Sequence, residues 1–359
     1  MTELTRWFEI GRTDRPVTIT PRSVRNLRPS APMFPGYRIA AIVPCLNEAA
    51  AIAEVVTGLL EAVPGMDVYV YDNNSTDGTA EVARAAGAIV RNESRPGKGN
   101  VVRRAFADID ADIYVLIDGD DTYEAAHAPQ MIRALMEGPY DHVLGVRTPD
   151  DPEAYRGGHE WGNRLLNAVV ARLFGQNARD MLSGYRVFSR RFVKSFPATS
   201  RGFEIETELT VHCLTLRVPC TSIPVGFRAR RDGSESKLHT FRDGRRILKT
   251  AFSLFRYERP LPFYAGLVAT AAALFGLVGY LGHLAGTNIG LAVEAKFAAM
   301  VTVAVLVAIG VVVDVVTRTR HGQSHLVYMY HPAVPTAATA AVVALATPER
   351  ELSAVSAAR

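Results

Sequence analysis

The run Ile113-Tyr-Val-Leu-Ile117 passes directly into Asp118-Gly-Asp120-Asp121. A strand covered on both faces of a parallel sheet reads as an unbroken apolar run, and ligands of open α/β sheets bind beyond the carboxyl ends of such strands. The acids therefore stand where a ligand would. Clustered carboxylates repel one another unless a cation joins them, and oxygen donors of this kind suit Mg²⁺ or Mn²⁺ holding phosphates. A metal-bound diphosphate is the first expectation, and a solvated acidic turn is the plain alternative.

The surrounding pattern supports a sheet. From Tyr37 onward strand and helix signals alternate: strands over 38–43, 67–71, 88–90, 113–117 and 142–145, and helices over 50–62, 79–86, 99–106 and 129–137. Such alternation predicts an α/β domain with a doubly wound, mostly parallel sheet. After Gly162 the chain becomes more helical, with a helix over 205–216 and a strand-like segment over 220–225.

Two segments near the C-terminus, Leu261 to Leu284 and Phe297 to Thr317, are almost wholly apolar and each long enough to span hydrocarbon. Arg256 and Arg259 precede the first, Arg318 and Arg320 follow the second, and the connection carries only Glu294 and Lys296. The positive-inside bias then puts both flanks, and with them both termini, on the cytoplasmic side of a cell membrane. Asp314, near the inner end of the second span, suits a snorkelling or capping role. Just upstream, Ile247, Leu248, Ala251, Leu254 and Phe255 interleave with Arg242, Arg245, Arg246, Lys249 and Arg256. A basic amphipathic helix beside a span reads as interfacial, against the alternative of a core helix.

The expected organisation is an extension over 1–36, the α/β domain over 37–239, the interfacial helix over 240–260, two membrane helices over 261–320 and a largely disordered tail over 321–359. With 359 residues, 48% hydrophobic content and a formal net charge of +4, the basic excess is local, which argues for a membrane-facing patch and against a nucleic-acid binder. Cys45, Cys213 and Cys220 lack metal-ligand spacing and read as reduced thiols of a cytosolic domain. Residues 1–34 carry no apolar signal core, so the spans are expected to act as internal signals.

Three strand ends carry residues capable of chemistry: Val43-Pro-Cys-Leu-Asn-Glu48, Tyr71-Asp-Asn-Asn-Ser-Thr-Asp77-Gly78-Thr79 and the Asp118 cluster. In a parallel sheet they share one edge. Asp72 is placed to accept hydrogen bonds from a base, and Ser75, Thr76 and Asp77 read as caps of the next helix. Arg95-Pro-Gly-Lys98-Gly99 is a short cationic loop before a helix, suited to bringing Lys98 against a phosphate.

In this order, Pro-x-x-Asn-Glu, Asp-x-x-Ser-x-Asp-Gly-Thr, Gly-Lys-Gly, Asp-x-Asp, Ser183-Gly-Tyr-Arg186 with Ser189-Arg190-Arg191, and Gly233-Ser-Glu-Ser-Lys237 resemble a family 2 glycosyltransferase of the GT-A fold. The branch is that of dolichol-phosphate mannose synthases and bacterial polyprenyl-phosphate glycosyltransferases, and the likeness covers roughly residues 38–260. It implies that Pro44, Asn47 and Glu48 line a nucleotide pocket, that Asp72 faces the base, that Asp118 approaches the nucleotide or sugar, and that Asp120 binds the diphosphate through Mg²⁺ or Mn²⁺. Lys98 and Lys237 are expected at the diphosphate. The donor would be a UDP- or GDP-sugar, the acceptor a polyprenyl phosphate, and the outcome inversion at the sugar carbon. Arg147, Arg164 and Arg186 are the candidates for the acceptor phosphate. His159 and Trp161 lie where they could touch the acceptor. Thr122 stands where the mannose synthases carry a metal-holding Gln, so metal binding is expected from Asp118, Asp120 and Thr122. The family often assembles through its membrane helices, which makes a homo-oligomer an open expectation.

A processive polysaccharide synthase would carry Gln-x-x-Arg-Trp beside the membrane, and the only Arg-Trp here is Arg6-Trp7. A sugar-1-phosphate nucleotidyltransferase would need a Gly-rich first loop. A transferase for another lipid or polysaccharide, or a non-catalytic membrane scaffold, stands as the alternative.

Overall fold

A computed structural model of the chain describes residues 31–149, 180–228, 249, 252–286 and 289–334. Seven strands form one sheet: β1 (Ile39–Cys45), β2 (Asp67–Asp72), β3 (Ile89–Asn92), β4 (Ile113–Leu116), β5 (His142–Pro149), β6 (Arg186–Ser189) and β7 (Cys220–Phe227), in the order β3-β2-β1-β4-β6-β5-β7. All are parallel except β6, which runs antiparallel between β4 and β5. The carboxyl ends of β1, β2, β4, β5 and β7 and the amino end of β6 thus meet on one edge.

Helices α1 (Ile52–Ala62), α2 (Thr79–Ala85), α3 (Lys98–Asp108), α4 (Ala128–Glu137), α5 (Arg190–Ser195) and α6 (Ile205–Thr215) cover the sheet. One face packs Ile39, Ala41, Val43, Val68, Val70 and Val115 against α1 and α4. The other packs Ala40, Ile42, Tyr114, Leu116 and Phe188 against α3, α5 and α6. Alternate residues of β1 feed opposite cores, as period-two geometry requires, and β4 is buried throughout.

The alternating signals located each parallel strand and missed β6 with α5. Four residues beginning with an arginine give no readable period, and β6 becomes a strand only because β4 and β5 supply partners on both sides.

Two long helices follow, α7 (Pro260–Leu284) and α8 (Ile289–Tyr330). Their most apolar windows are 0% and 6% buried, so both are long and apolar enough to cross a membrane and stand uncovered. Asp314 pairs with Arg318 one turn on, at 2.7 Å. Helix α8 continues to Tyr330, so residues 321–330 extend the second helix beyond the expected boundary at 320. The cause is docking: Tyr328 Oη donates to Asp141 at 2.5 Å, Arg191 lies 4.6 Å over the Tyr328 ring, and Glu258 pairs with Arg320 and His321. Residues 1–30, most of the basic amphipathic segment, and the tail from 335 onward lie outside the described residues.

Candidate active site

The turn after β4 is set by close approach. A Cβ on Gly119 would overlap the Cys45 sulfur, and one on Gly184 would overlap the Asp118 carboxylate. Only glycine at both positions lets the acidic turn nest between the end of β1 and the segment entering β6. Asp121 adopts a left-handed conformation, φ 57°, which aspartate tolerates better than most residues. Asp120 is buried and accepts from the Thr122 amide at 3.2 Å and the Thr122 hydroxyl at 2.6 Å. Thr122, expected as a metal ligand, therefore fixes the Asp120 carboxylate.

Acids converge here from three strand ends. Burial first, and then the negative fields of Glu48, Asp72, Asp118 and Asp120, push the Cys45 thiol well above its usual range. β1 lies between parallel β2 and β4, so the ends of the three strands bring these acids to one edge.

Lys98 is the cation that joins the cluster. Its ammonium pairs with Asp118 and lies 2.6 Å from Glu206 Oε1. Burial disfavours its charge, but Asp118 and Glu206 outweigh burial and raise its pKa. Burial likewise raises Glu206, against the lowering effect of Lys98. The expectation that Lys98 projects to a phosphate is thus modified: in this state it neutralises two carboxylates. The Gly-Lys-Gly loop is held by Asn73, whose amide donates to the Glu93 and Arg95 carbonyls and whose oxygen accepts from Gly97 N at 2.6 Å. Cβ atoms on Gly97 and Gly99 would overlap the Arg201 and Ser200 carbonyls, and Gly97 has φ 122°. The loop is pressed against residues 199–202, which Glu208 holds through the Ser200 amide at 2.8 Å.

Asp72 lies at the end of β2, and one of its buried carboxylate oxygens has no hydrogen-bond partner, consistent with a donor group of a ligand at that point. Asn47, expected in the pocket lining, accepts from Thr76 N at 2.8 Å through Oδ1, and its backbone N–H donates to Ser75 Oγ at 2.9 Å. Glu48 N donates to Thr79 Oγ1 and Ala49 N to Asp77. Ser75, Thr76 and Asp77 therefore tie the first and second strand ends together; Asp77 also accepts from the Thr79 amide at 3.0 Å at the start of α2, as its reading as a cap expected, while Ser75 and Thr76 bond Asn47 instead.

Arg147 falls inside β5, which runs on to Pro149. Its Nε and Nη2 donate to Asp180 at 2.9 and 2.5 Å, its amide donates to the same carboxylate at 3.0 Å, and its guanidinium stacks 5.4 Å over Phe227. Tyr123 accepts from Gly184 N at 2.9 Å, the glycine packed against Asp118, and burial is the main cause of its raised pKa, with Arg147, Asp118 and Asp180 contributing.

Arg186 is a correction. It is 0% exposed, and its guanidinium donates to the Ser183 carbonyl at 2.9 Å, the Met181 carbonyl at 2.6 Å and Thr210 Oγ1 at 3.1 Å. A fully buried fork already spent on three acceptors cannot meet an acceptor phosphate; Arg186 holds the 181–183 backbone beside Asp118. Arg164, Lys237, His159 and Trp161 lie outside the described residues. Glu206, Asp180 and Tyr123 escaped the sequence reading. For Glu206 a signal existed: Glu204-Ile-Glu206-Thr-Glu208 puts acids into a helix that is otherwise suited to the core.

Among the described residues no three His, Cys, Asp or Glu side chains form a metal cage. Mg²⁺ ordinarily takes one or two carboxylates plus substrate phosphates. A buried Asp120 beside a partly exposed Asp118 (27%) fits a cation that arrives with a diphosphate.

The family model for Glycosyl transferase family 2 matches residues 40–196. Glycosyltransferase AglJ of Haloferax volcanii is 41% identical over 241 residues, 67% of this chain and 78% of that protein. The dolichyl-phosphate hexose transferase of the same organism is 27% identical over 221 residues, 62% of this chain and 95% of its own length. Among solved structures, glucosyl-3-phosphoglycerate synthase from Mycobacterium tuberculosis, in complex with Mn²⁺, uridine-diphosphate and phosphoglyceric acid, matches with a TM-score of 0.52 and 26% identity over 61% of this chain and 79% of that one. Its complex with Mg²⁺ and uridine-diphosphate matches at 0.51 and 27%, with the same coverage. The mixed, mostly parallel sheet is of the GT-A type, and this chain belongs to glycosyl transferase family 2 as a glycosyltransferase.

Proposed function

We propose that the enzyme moves a sugar from a nucleoside-diphosphate sugar to a polyprenyl phosphate at the cytoplasmic face of a membrane. The observation that carries this reading is the joining, in one chain, of the Asp118–Asp120 turn to two apolar helices with uncovered surfaces. The dolichyl-phosphate named for one relative supports the acceptor class, and the uridine-diphosphate complexes of the structural neighbours support a UDP-sugar over a GDP-sugar.

In this reading Asp72 takes the base and the Asp118–Asp120 turn takes the diphosphate end of the donor. Asp120, oriented by Thr122, would hold Mg²⁺ or Mn²⁺ with Asp118 beside it. A divalent cation there supplies Lewis-acid stabilisation of the leaving oxygens. Lys98, itself held by Glu206, pairs with Asp118 and aims its carboxylate. An oxygen of the acceptor phosphate forms the new bond to the anomeric carbon while the bond to the nucleoside diphosphate breaks and its electron pair leaves with the diphosphate. A single displacement inverts that carbon. The phosphate is already anionic at neutral pH, so no strong base is needed, and positioning by Arg147 dominates.

A thermal-shift screen of UDP- and GDP-sugars with and without Mn²⁺ tests the donor half, since a ligand of the folded state raises the melting temperature. A metal-dependent shift with one donor class is expected. No shift with any nucleotide sugar would contradict the reading.

A further inference from the structure

Arg147 lies at the active edge with its fork already filled. Asp180 accepts from Nε, Nη2 and the backbone amide of the same residue, and the two side chains are only 16% and 8% exposed. Several described residues brace the pair. Phe227 supports the guanidinium. Arg186 anchors the Met181 and Ser183 carbonyls just after Asp180, and the Ser183 hydroxyl bonds the Gly145 carbonyl of β5 at 2.5 Å. Tyr123 connects this pair electrostatically to Asp118. Asp180 itself is held at φ 36°, so the surrounding structure imposes its place.

A carboxylate and a phosphate offer an arginine fork the same paired oxygens. We propose that Asp180 is a resident stand-in for the acceptor phosphate: the incoming lipid phosphate displaces it from Arg147, and it reclaims Arg147 after transfer. This rests on the reading of Arg147 as the acceptor-binding residue. The charge balance favours exchange in both directions at the right moment. A phosphate monoester carries about −1.5 to −2 charges at pH 7 with three terminal oxygens, and out-competes a carboxylate of charge −1. Transfer of the sugar turns it into a diester with a single charge and two terminal oxygens. Asp180, tethered in place, then regains the fork and helps to expel the product. Until a phosphate arrives, the same contact keeps Arg147 from drawing the donor diphosphate into a wrong position.

A competitor that occupies a binding group lowers apparent affinity by the fraction of time the group is open. Asp180→Asn keeps the size, tolerates the left-handed backbone and retains an oxygen for the Arg147 amide, but loses the charge. The enzyme in detergent, assayed with polyprenyl phosphate, should show an acceptor KM lowered by about 3–10-fold. Inhibition by added polyprenyl-phosphate sugar should strengthen, and nucleotide-sugar affinity by calorimetry should stay unchanged. The drop in KM should vanish in the Arg147→Lys background, where the fork is gone. If Asp180→Asn raised the acceptor KM or left it unchanged while Arg147→Lys raised it, the stand-in role would be overturned and the acceptor role of Arg147 would stand. If Arg147→Lys left acceptor kinetics unchanged and weakened donor binding, both would fall.

Discussion

Asp120 takes two hydrogen bonds from Thr122 and is almost wholly enclosed, so its carboxylate is oriented before any ligand arrives. Asp120→Asn removes the charge and keeps the shape, and should lower turnover by roughly a hundredfold or more, as loss of other preorganised electrostatic groups does. Near-normal turnover with metal dependence intact would exclude the role. Gly184→Ala tests the neighbouring contact. Its Cβ would overlap the Asp118 carboxylate, and a displacement of about 1 Å at a reacting group costs on the order of a hundredfold in rate. A melting temperature close to the parent with activity lost is the expected pattern. The motif residues Asp72, Asp118 and Asp120 were legible because strand ends in a parallel sheet must share an edge. The buried partners were not: Arg186 looks like any surface arginine in sequence, and Asp180 owes its role to β5, far away in the chain. Only packing distinguishes an arginine that binds a ligand from one that braces a loop.

Among the elements, α6 joins the site to the rest of the domain. It carries Glu206 under Lys98 in its first turn and His212 near its end. Burial, the largest influence, pulls His212 down to about 4 from the ordinary 6.5, against Glu258, which favours the charged form. The folded protein thus keeps this ring neutral where an unfolded chain would bind a proton. Stability is full above about pH 6.5 and falls as the pH drops toward 4, by about 3 kcal/mol at most from this group. Burial lowers His142 in the same direction. Urea midpoints measured from pH 7.5 to 5 should fall, and the fall should shrink in His212→Gln. A midpoint independent of pH would contradict this. The parallel strands were readable from unbroken apolar runs and their helices from a period of 3.6. The antiparallel β6 was not, because four residues between two strands need no pattern of their own.

At the scale of the whole molecule, the apolar helices are tied to the catalytic domain. Tyr328 of α8 and Arg191 share the buried Asp141 of the domain, while Glu258, in the segment leading into α7, gathers Arg320 and His321 of α8. Tyr328→Phe should cost about 1–3 kcal/mol, because Asp141 is a buried charge that would lose one of its donors. Equilibrium unfolding of the detergent-solubilised enzyme checks this, with no loss expected if the contact is incidental. Deleting Leu261 onward should leave nucleotide-sugar binding in place and greatly weaken transfer to long polyprenyl phosphates. Equal rates with the full chain would make the helices mere anchors. That two segments could span a membrane was plain from composition. That the second helix continues to Tyr330 and docks on the catalytic domain was not, because the contact depends on where Asp141 and Arg191 meet in space.

The most direct measurement is product analysis. The purified enzyme, incubated with Mn²⁺, a polyprenyl phosphate and a panel of UDP- and GDP-sugars, is assayed by mass spectrometry of the lipid fraction. One donor should give a polyprenyl-phosphate sugar, with the anomeric configuration inverted and the product lost in Asp120→Asn. A sugar transferred only to another acceptor, or a lipid product that persists in Asp120→Asn, would contradict it.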